Sequence, residues 1–596
     1  MAREVLMGRE VVLMTAGLAG LAVGLTGCGG GADPAGAAGP PRDGGTLRVV
    51  GSSDVEHLDT ASAVGVGSYG LTRVFARTLF GTKASNDFNE TVPVQADVAA
   101  EIPTRENGGI SKDGKTYTVR LRQGVRWDTS PPRPVTAHDF VRGIERLCNP
   151  AAPYSGKGYY TSTIKGMDAY CDGFRDVDAK DAAAIAAYQN RHDVKGLEAK
   201  DDRTLVFRLT RPASDFLNLL SLQATAAAPK EYERHVPDGR EFRQHTISDG
   251  PYRIAEYRPG VSYLLERNPV WRADTDPLRE RHVEKIRITF GQDSPETVQQ
   301  QIEQGGADLA WDQPVPTSAI PRLRGDDRFA IRETPSNSPY LVFNTRGPGN
   351  GGALRKREVR QALQYAIDRS ALVKLVGGPS VAQPLHTVIP PGNSGYAPTN
   401  RYPTAGEGSD PGKCRRLLAK AGHPKLKLRF PYRTNSVHKL IAQSIKDNLA
   451  GCGVEAELRA DTGGDFYART ISSPEQAKEG KWDIAAPGWT PDWYGNNGRS
   501  IIQPLFDGRT YGPGSTNYGG YDNFLVNGLI DAALTAPDPS RAAGYWQQAD
   551  QRIMEDAAIV PLLDRAHTIF RSGRVAGARF LPTAAGYDYT RLWLTR

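Results

Sequence analysis

The stretch from Asp410 to Leu458 restricts the fold more than any other part of the chain. Asp410 is placed to cap a helix whose first position is Pro411, a residue that forfeits no hydrogen bond there. Cys414, Leu417, Leu418 and Ala421 share one helical face, and Gly422 ends the helix. "LKLRF" follows as a strand. Val437, Leu440, Ile441, Ile445 and Leu449 line a second helix stopped by Gly451, and "VEAEL" alternates as another strand. Two strands joined through a helix of this length run parallel with a right-handed crossover.

Elsewhere the pattern is antiparallel. "GGTLRVV" opens with a strand, "KTYTVRLR" and "RTLVFRLT" alternate, and "GPYRIAEY" with "VSYLLERN" forms a hairpin around Pro259-Gly260. "EKIRITF" is a further strand, followed by a helix that Ser294 and Pro295 open and Gly305 closes. The mixture reads as α/β. At 596 residues the chain exceeds what one core supports, so two or more lobes are expected. No internal repeat is visible.

The N-terminal segment carries a targeting signal. "VVLMTAGLAGLAVGLT" (Val11 to Thr26) is apolar, but too short and too rich in Gly and Ala to span a bilayer; its length suits a signal-peptide core. It ends in "LTGC", the bacterial lipobox pattern, which makes Cys28 the residue expected to receive lipid. Glu4 and Glu10 offset Arg3 and Arg9, so translation from Met7 is an alternative to Met1. "GGGADPAGAAGPPRDGG" then has no apolar period and reads as a flexible tether. No later apolar run is long enough to cross a membrane, so a lipid-anchored extracytoplasmic body is expected.

Four further cysteines remain: Cys148, Cys171, Cys414 and Cys452. An even number in an exported chain points to disulfides. Local closure favours Cys148–Cys171 and Cys414–Cys452, with a merely buried Cys414 as the other reading. No CxxC occurs and no His has metal-ligand spacing to a Cys, so no metal or other cofactor is expected. The net charge is only +7 and no Lys/Arg run concentrates it, which disfavours nucleic acid.

"GISKDGKT" (Gly109 to Thr116) spells the P-loop formula, but Asp113-Gly114 is a hairpin turn signal and a strand follows where a P-loop needs a helix. No GxSxG or HExxH is present, and nothing nominates a catalytic nucleophile. In "RKREVRQALQYAIDR", Val359, Leu363, Ala366 and Ile367 share one helical face and read as core, with Arg360 and Asp368 available for structural ion pairs. "GWTPDWYG" (Gly488 to Gly495) is different. It sets a single carboxylate, Asp492, among Trp489, Trp493 and Tyr494. A carboxylate among rings loses water and needs a cation. That cation is either a ligand's or a protein arginine's, unless Asp492 simply caps a turn.

"DGKTYTVRLRQGVRWDTSPPRPVTAHDFVRGIERLCNP" resembles the peptide/nickel-type extracellular solute-binding proteins of ABC transporters, family 5. So do "SDGPYRIAEYRPGVSYLLERNPVW", "YLVFNTRGP", "LRKREVRQALQYAIDRSALV", "DPGKCRRLLAKAG" and "GWTPDWYG". The resemblance implies an α/β, bilobed, periplasmic-binding-protein-like fold with a subdomain inserted in the first lobe. The segments it implies are a signal peptide at 1–27, a tether at 28–45, a first lobe at about 46–80, 231–335 and 561–596, an insert at about 81–230, and a second lobe at about 336–560.

It also implies a monomeric, non-enzymatic binder that captures oligopeptides in an interlobe cleft, delivers them to a membrane permease and carries no cofactor. Asp492 stands where peptide binders pair with the ligand's α-ammonium, Trp489 takes the motif's aromatic place, and Tyr340 stands where members bring a residue to the cleft. Trp493 and Tyr494 either wall a pocket or pack. Leu563 and Asp564 depart from the aromatic-rich version of their segment. Other ligands of the same fold (a nickel chelate, haem, an oligosaccharide, a siderophore-like compound) and a peptide-sensing role stay open at this point.

Overall fold

The computed structural model describes residues 39–434, 436–461, 465–536 and 538–595. Thr46–Val50 lies inside a five-stranded sheet, parallel to Lys285–Thr289 on one side and to Leu309–Ala310 on the other. The Tyr252–Arg258/Ser262–Arg267 hairpin completes that sheet, turning at Gly260, which has a φ of 68°. Behind it, Leu47, Val49, Tyr263, Leu265, Ile286 and Ile288 form a core with residues from the C-terminus such as Val575 and Leu592.

A second core, from Leu79 to Ala227, surrounds the antiparallel strands Thr116–Arg120, Thr204–Arg208 and Leu197–Asp201. The strand at Thr116 directly follows the Asp113-Gly114 turn, the arrangement that a P-loop excludes. The helix Ala137–Glu145 begins with a reciprocal cap between Thr136 and Asp139. Cys148 and Cys171 lie at disulfide distance here, with Cα atoms 5.1 Å apart.

The third core runs from Tyr340 to Leu563. In it Leu426–Arg433 and Val454–Asp461 pair in parallel through the helix Ser436–Gly451, and Asp410 caps Pro411–Lys420 by accepting from the Lys413 N–H. Two expectations for this region need correction. Leu440 is 53% exposed, because the buried face follows Ile441, Ile445 and Leu449 at four-residue steps and Leu440 lies about 100° off it. Among the described residues Arg360 forms no ion pair: its guanidinium donates to the carbonyls of Leu354, Arg355, Asp556 and Ala557, while Asp368 caps the next helix, Arg369–Leu375. Cys414 and Cys452 are both buried and not bonded to each other here.

The chain passes between the first and third cores twice. The strand Phe329–Arg332 pairs antiparallel with His567–Phe570. Beside it, the Ser338 N–H donates to the Leu563 carbonyl at 3.1 Å, and the Ser336 N–H to Asp564 Oδ1 at 3.1 Å. Among the described residues no helix is long and apolar enough to cross a membrane. Cys28 lies outside the described residues.

Candidate ligand-binding site

The strands Ile484–Ala485, Tyr340–Phe343 and Ile559–Pro561 form one antiparallel sheet, and the first of them leads into the Gly488–Gly495 segment. Trp489 and Asn337 exchange backbone hydrogen bonds of 2.8 and 3.0 Å, which fastens the segment beside the crossing strands. Gly488 makes this approach possible: a Cβ there would lie 2.5 Å from Ser338 Oγ. Gly495 closes the segment at a φ of 94°, a conformation that L side chains avoid. The half-buried Trp489 fixes its ring by donating from Nε1 to the Ser500 carbonyl at 2.8 Å.

Beyond Trp489 the segment leaves the third core. Trp493 is buried in the second core, edge-on to Tyr159 with ring centres 5.4 Å apart, and its Nε1 donates to the Asn496 carbonyl. Tyr494 is buried edge-on against Phe88. Both rings pack, and both also line a cavity of about 40 Å³ together with Tyr69, Arg73, Gln223 and Asp492. This space holds a group the size of a few water molecules. Tyr340 is not among its lining residues; it is buried in the third core and borders a separate void near Phe343 and Tyr518.

Asp492 accepts a hydrogen bond of 2.7 Å from the Tyr159 hydroxyl on Oδ2. Among the described residues no Lys, Arg or His forms an ion pair with it. Tyr69, Tyr154 and Tyr160 stand nearby, all buried, with the Tyr69 and Tyr154 hydroxyls 3.3 Å apart. Burial among these rings pushes the Asp492 carboxyl up to about 7, and the Tyr159 hydrogen bond only partly opposes this. The neighbouring cation, Arg73, is spent elsewhere: its Nε donates to Asp588 at 2.8 Å.

Arg499, just beyond the motif, holds Tyr159 in place. It donates to the Tyr159 carbonyl at 2.8 Å, to Thr163 Oγ1 at 2.8 Å and to Asp215 at 3.2 Å, all within the second core's territory. On the other flank, Arg433 donates to the Ala486 carbonyl at 3.2 Å and lies over the rings of Phe466 and Tyr467. Arg565 stands near it with no acidic partner among the described residues, and burial beside Arg433 lowers its pKa to about 10. Burial also pushes the neighbouring Asp564 carboxyl up to about 6.

Tyr159, Tyr69, Gln223 and Arg499 were not apparent in the sequence. "GKGYYTS" shows an aromatic pair, but nothing local ties it to a carboxylate 333 positions away.

Asp492 is thus an acid facing a small cavity, without a cationic partner among the described residues. The chain belongs to the bacterial extracellular solute-binding proteins, family 5, whose family profile matches residues 95–510. Family 5 proteins serve transport as binding proteins and are not enzymes, and the fold is the bilobed α/β periplasmic-binding-protein type. Among its relatives, the oligopeptide-binding protein OppA of Bacillus subtilis is 26% identical over 496 residues, 80% of this chain and 81% of that protein. The dipeptide-binding protein of Escherichia coli is 27% identical, covering 82% and 85%. The solved structure of clavulanic acid biosynthesis oligopeptide binding protein 2 superposes with a TM-score of 0.77 at 26% identity, covering 93% of this chain and 96% of that one.

Proposed function

We propose that this protein is the lipid-anchored, extracytoplasmic substrate-binding component of an ABC importer and that its ligand is an oligopeptide. The observation that carries the reading is Asp492, a desolvated carboxylate that faces a cavity and has no cationic partner among the described residues. The α-ammonium of a peptide supplies the missing charge. Arg433, which donates to the Ala486 carbonyl, and the neighbouring Arg565 suit a ligand carboxylate. An acid and a basic pair flanking one segment match the two ends of a zwitterion. Relatives named for binding oligopeptides and dipeptides support the same class.

In this reading the two crossing strands serve as the hinge on which the lobes close, and closure presents the loaded protein to a membrane permease. The lobe boundaries stand as given in the sequence analysis, and lipid on Cys28 holds the monomeric body at the membrane. Cys28→Ala should release the protein from the membrane fraction; continued retention would remove the anchor from the proposal.

The ligand class is tested by mass spectrometry of small molecules released from the native protein, followed by calorimetry with an identified peptide and its N-acetylated form. Removing one member of a buried charge pair costs about 2–5 kcal/mol, a loss of roughly 30- to 5,000-fold in affinity. Asp492→Asn and N-acetylation remove the same interaction, so their effects should be strongly non-additive. Equal affinity of the wild type for free and acetylated peptide would return Asp492 to a structural role.

A further inference from the structure

Two arginines cross between the inserted segment and the segment 496–534, in opposite directions. Arg499 stands in the first turn of the helix Gly498–Phe506 and is 2% exposed. Its Nη2 donates to the Tyr159 carbonyl, to Ser162 Oγ at 3.0 Å and to Thr163 Oγ1, while its Nη1 reaches Asp215. Arg211 comes from the other side, beyond the strand Thr204–Arg208. Its Nε donates at 2.9 Å to the carbonyl of Leu534, the last residue of the helix Phe524–Leu534, where a cation suits the helix dipole. Its Nη1 donates to the Ser162 carbonyl at 2.5 Å. Gln503 adds a bond of 3.4 Å to Ser162 Oγ, and Asn496 one of 3.0 Å to Ser214 Oγ. Ser162 is the point where both arginines meet.

This junction is separate from the cavity at Asp492. None of Ser162, Arg211, Asp215, Arg499 and Gln503 lines that space. The junction therefore joins protein to protein, and its bonds leave the cavity lining untouched. It also carries a built-in opposition. Arg211 Nη2 is buried without a hydrogen-bond partner. Burial, and next the like charge of Arg499, lower the Arg211 pKa to about 10. An unpaired buried N–H and two neighbouring cations work against the other bonds, so the two sides are able to part. Gly158 allows the close approach: a Cβ there would lie 3.3 Å from Thr510 Cγ2.

Resting on the lobe and hinge reading above, we propose that the Ser162 junction is a clasp with Arg499 as its pin. It holds the inserted segment against the second lobe through protein contacts alone, and it parts before a ligand reaches the cavity. Closure is then a property of the chain itself. A ligand adds its contacts to a shape the clasp already favours, so the clasp sets how much of the protein stands open between ligands.

The test compares small-angle scattering and hydrogen exchange of the full mature chain, freed of ligand by reversible unfolding. Wild type should scatter as the clasped form. Arg499→Met with Asp215→Leu removes the pin and its buried counter-charge together, and reclosing would leave the acceptors at Tyr159 and Thr163 without their donor. Its radius of gyration should rise. Exchange in residues 158–163 and 498–503 should quicken about tenfold or more, the factor that one charge-assisted hydrogen bond represents. Exchange in the strands Thr46–Val50 and Leu426–Arg433 should stay unchanged, which separates parting from unfolding. Gly158→Trp places a ring against Thr510 and should wedge the same junction apart. Expansion by the wedge but not by removal of the pin overturns the clasp and leaves the hinge standing. Expansion by neither overturns both. A wild type as extended as the wedged variant also overturns the clasp, because nothing then holds it shut.

Discussion

The Tyr159 hydroxyl donates to Asp492 across 2.7 Å and spans 333 positions of sequence. The inserted segment thereby touches the acid of the Gly488–Gly495 motif directly. The hydrogen bond holds the charged form of a carboxyl that burial would otherwise neutralise. Tyr159→Phe removes the donor and keeps the ring that meets Trp493. Hydrogen bonds to charged groups contribute about 1.5–3 kcal/mol, so the variant should lose about that much stability at pH 8, where Asp492 is ionised. At pH 5 the loss should be smaller. Denaturant unfolding at the two pH values checks this, and equal losses would show that the hydroxyl does not serve the carboxylate.

The raised carboxyl also sets the sign of a pH dependence. An unfolded Asp titrates near 3.9, whereas Asp492 in the unliganded fold titrates at about 7. The folded state therefore holds more protons between these values. The stabilising contribution is complete below about pH 4 and is lost as pH rises through about 7. The size is on the order of 4 kcal/mol from a difference of about three pH units. Asp492→Asn cannot titrate, so its stability relative to wild type should improve steadily from pH 4 to pH 8. Unfolding curves of both proteins across that range decide it; parallel pH profiles would count against a desolvated Asp492. With a bound ammonium the order reverses, because the cation draws the carboxyl down and binding then releases a proton below pH 7.

Local signals in the sequence carried much of the fold. Asp410, Pro411 and Gly422 delimit one helix by capping chemistry alone, and the Val454 strand follows from alternation. Leu440 marks the limit of that approach. Its hydrophobicity suits the helix face, yet its angle is wrong, and composition does not report angle. The motif acid was legible because aromatic neighbours imply desolvation. Its surroundings were not: Tyr159 meets Asp492 across 333 positions, Arg499 bonds the Tyr159 carbonyl, and no residue near them in sequence has a reason to name the others.

Arg499 and Asp215 form a buried ion pair at 3.2 Å between the segment following the motif and the inserted segment. Removing one partner of such a pair costs about 3–5 kcal/mol, whereas an apolar replacement of both can be neutral. Arg499→Met should destabilise by about that amount and weaken ligand binding, since the donor to the Tyr159 carbonyl is also lost. Arg499→Met with Asp215→Leu should recover most of the stability. It should not recover the affinity, because Tyr159 stays unclamped. Recovery of both would mean that the pair acts on stability alone.

The cysteines give two predictions of different standing. Cys148 and Cys171 lie at disulfide distance, with a separation of 23 residues. A loop of that length restricts the unfolded chain by about 3 kcal/mol in the chain-entropy model. The joint change Cys148→Ser with Cys171→Ser should therefore lower stability by about 3 kcal/mol under oxidising conditions and change little under reduction. Cys414 and Cys452 are both buried and unbonded. We propose that they oxidise in the exported protein, closing a loop of 452 − 414 = 38 residues, worth about 4 kcal/mol by the same model. Non-reducing peptide mapping of protein recovered from its native compartment should find both links. The Cys148–Cys171 link alone would leave the second pair as the thiols seen here, and four free thiols would remove both bridges.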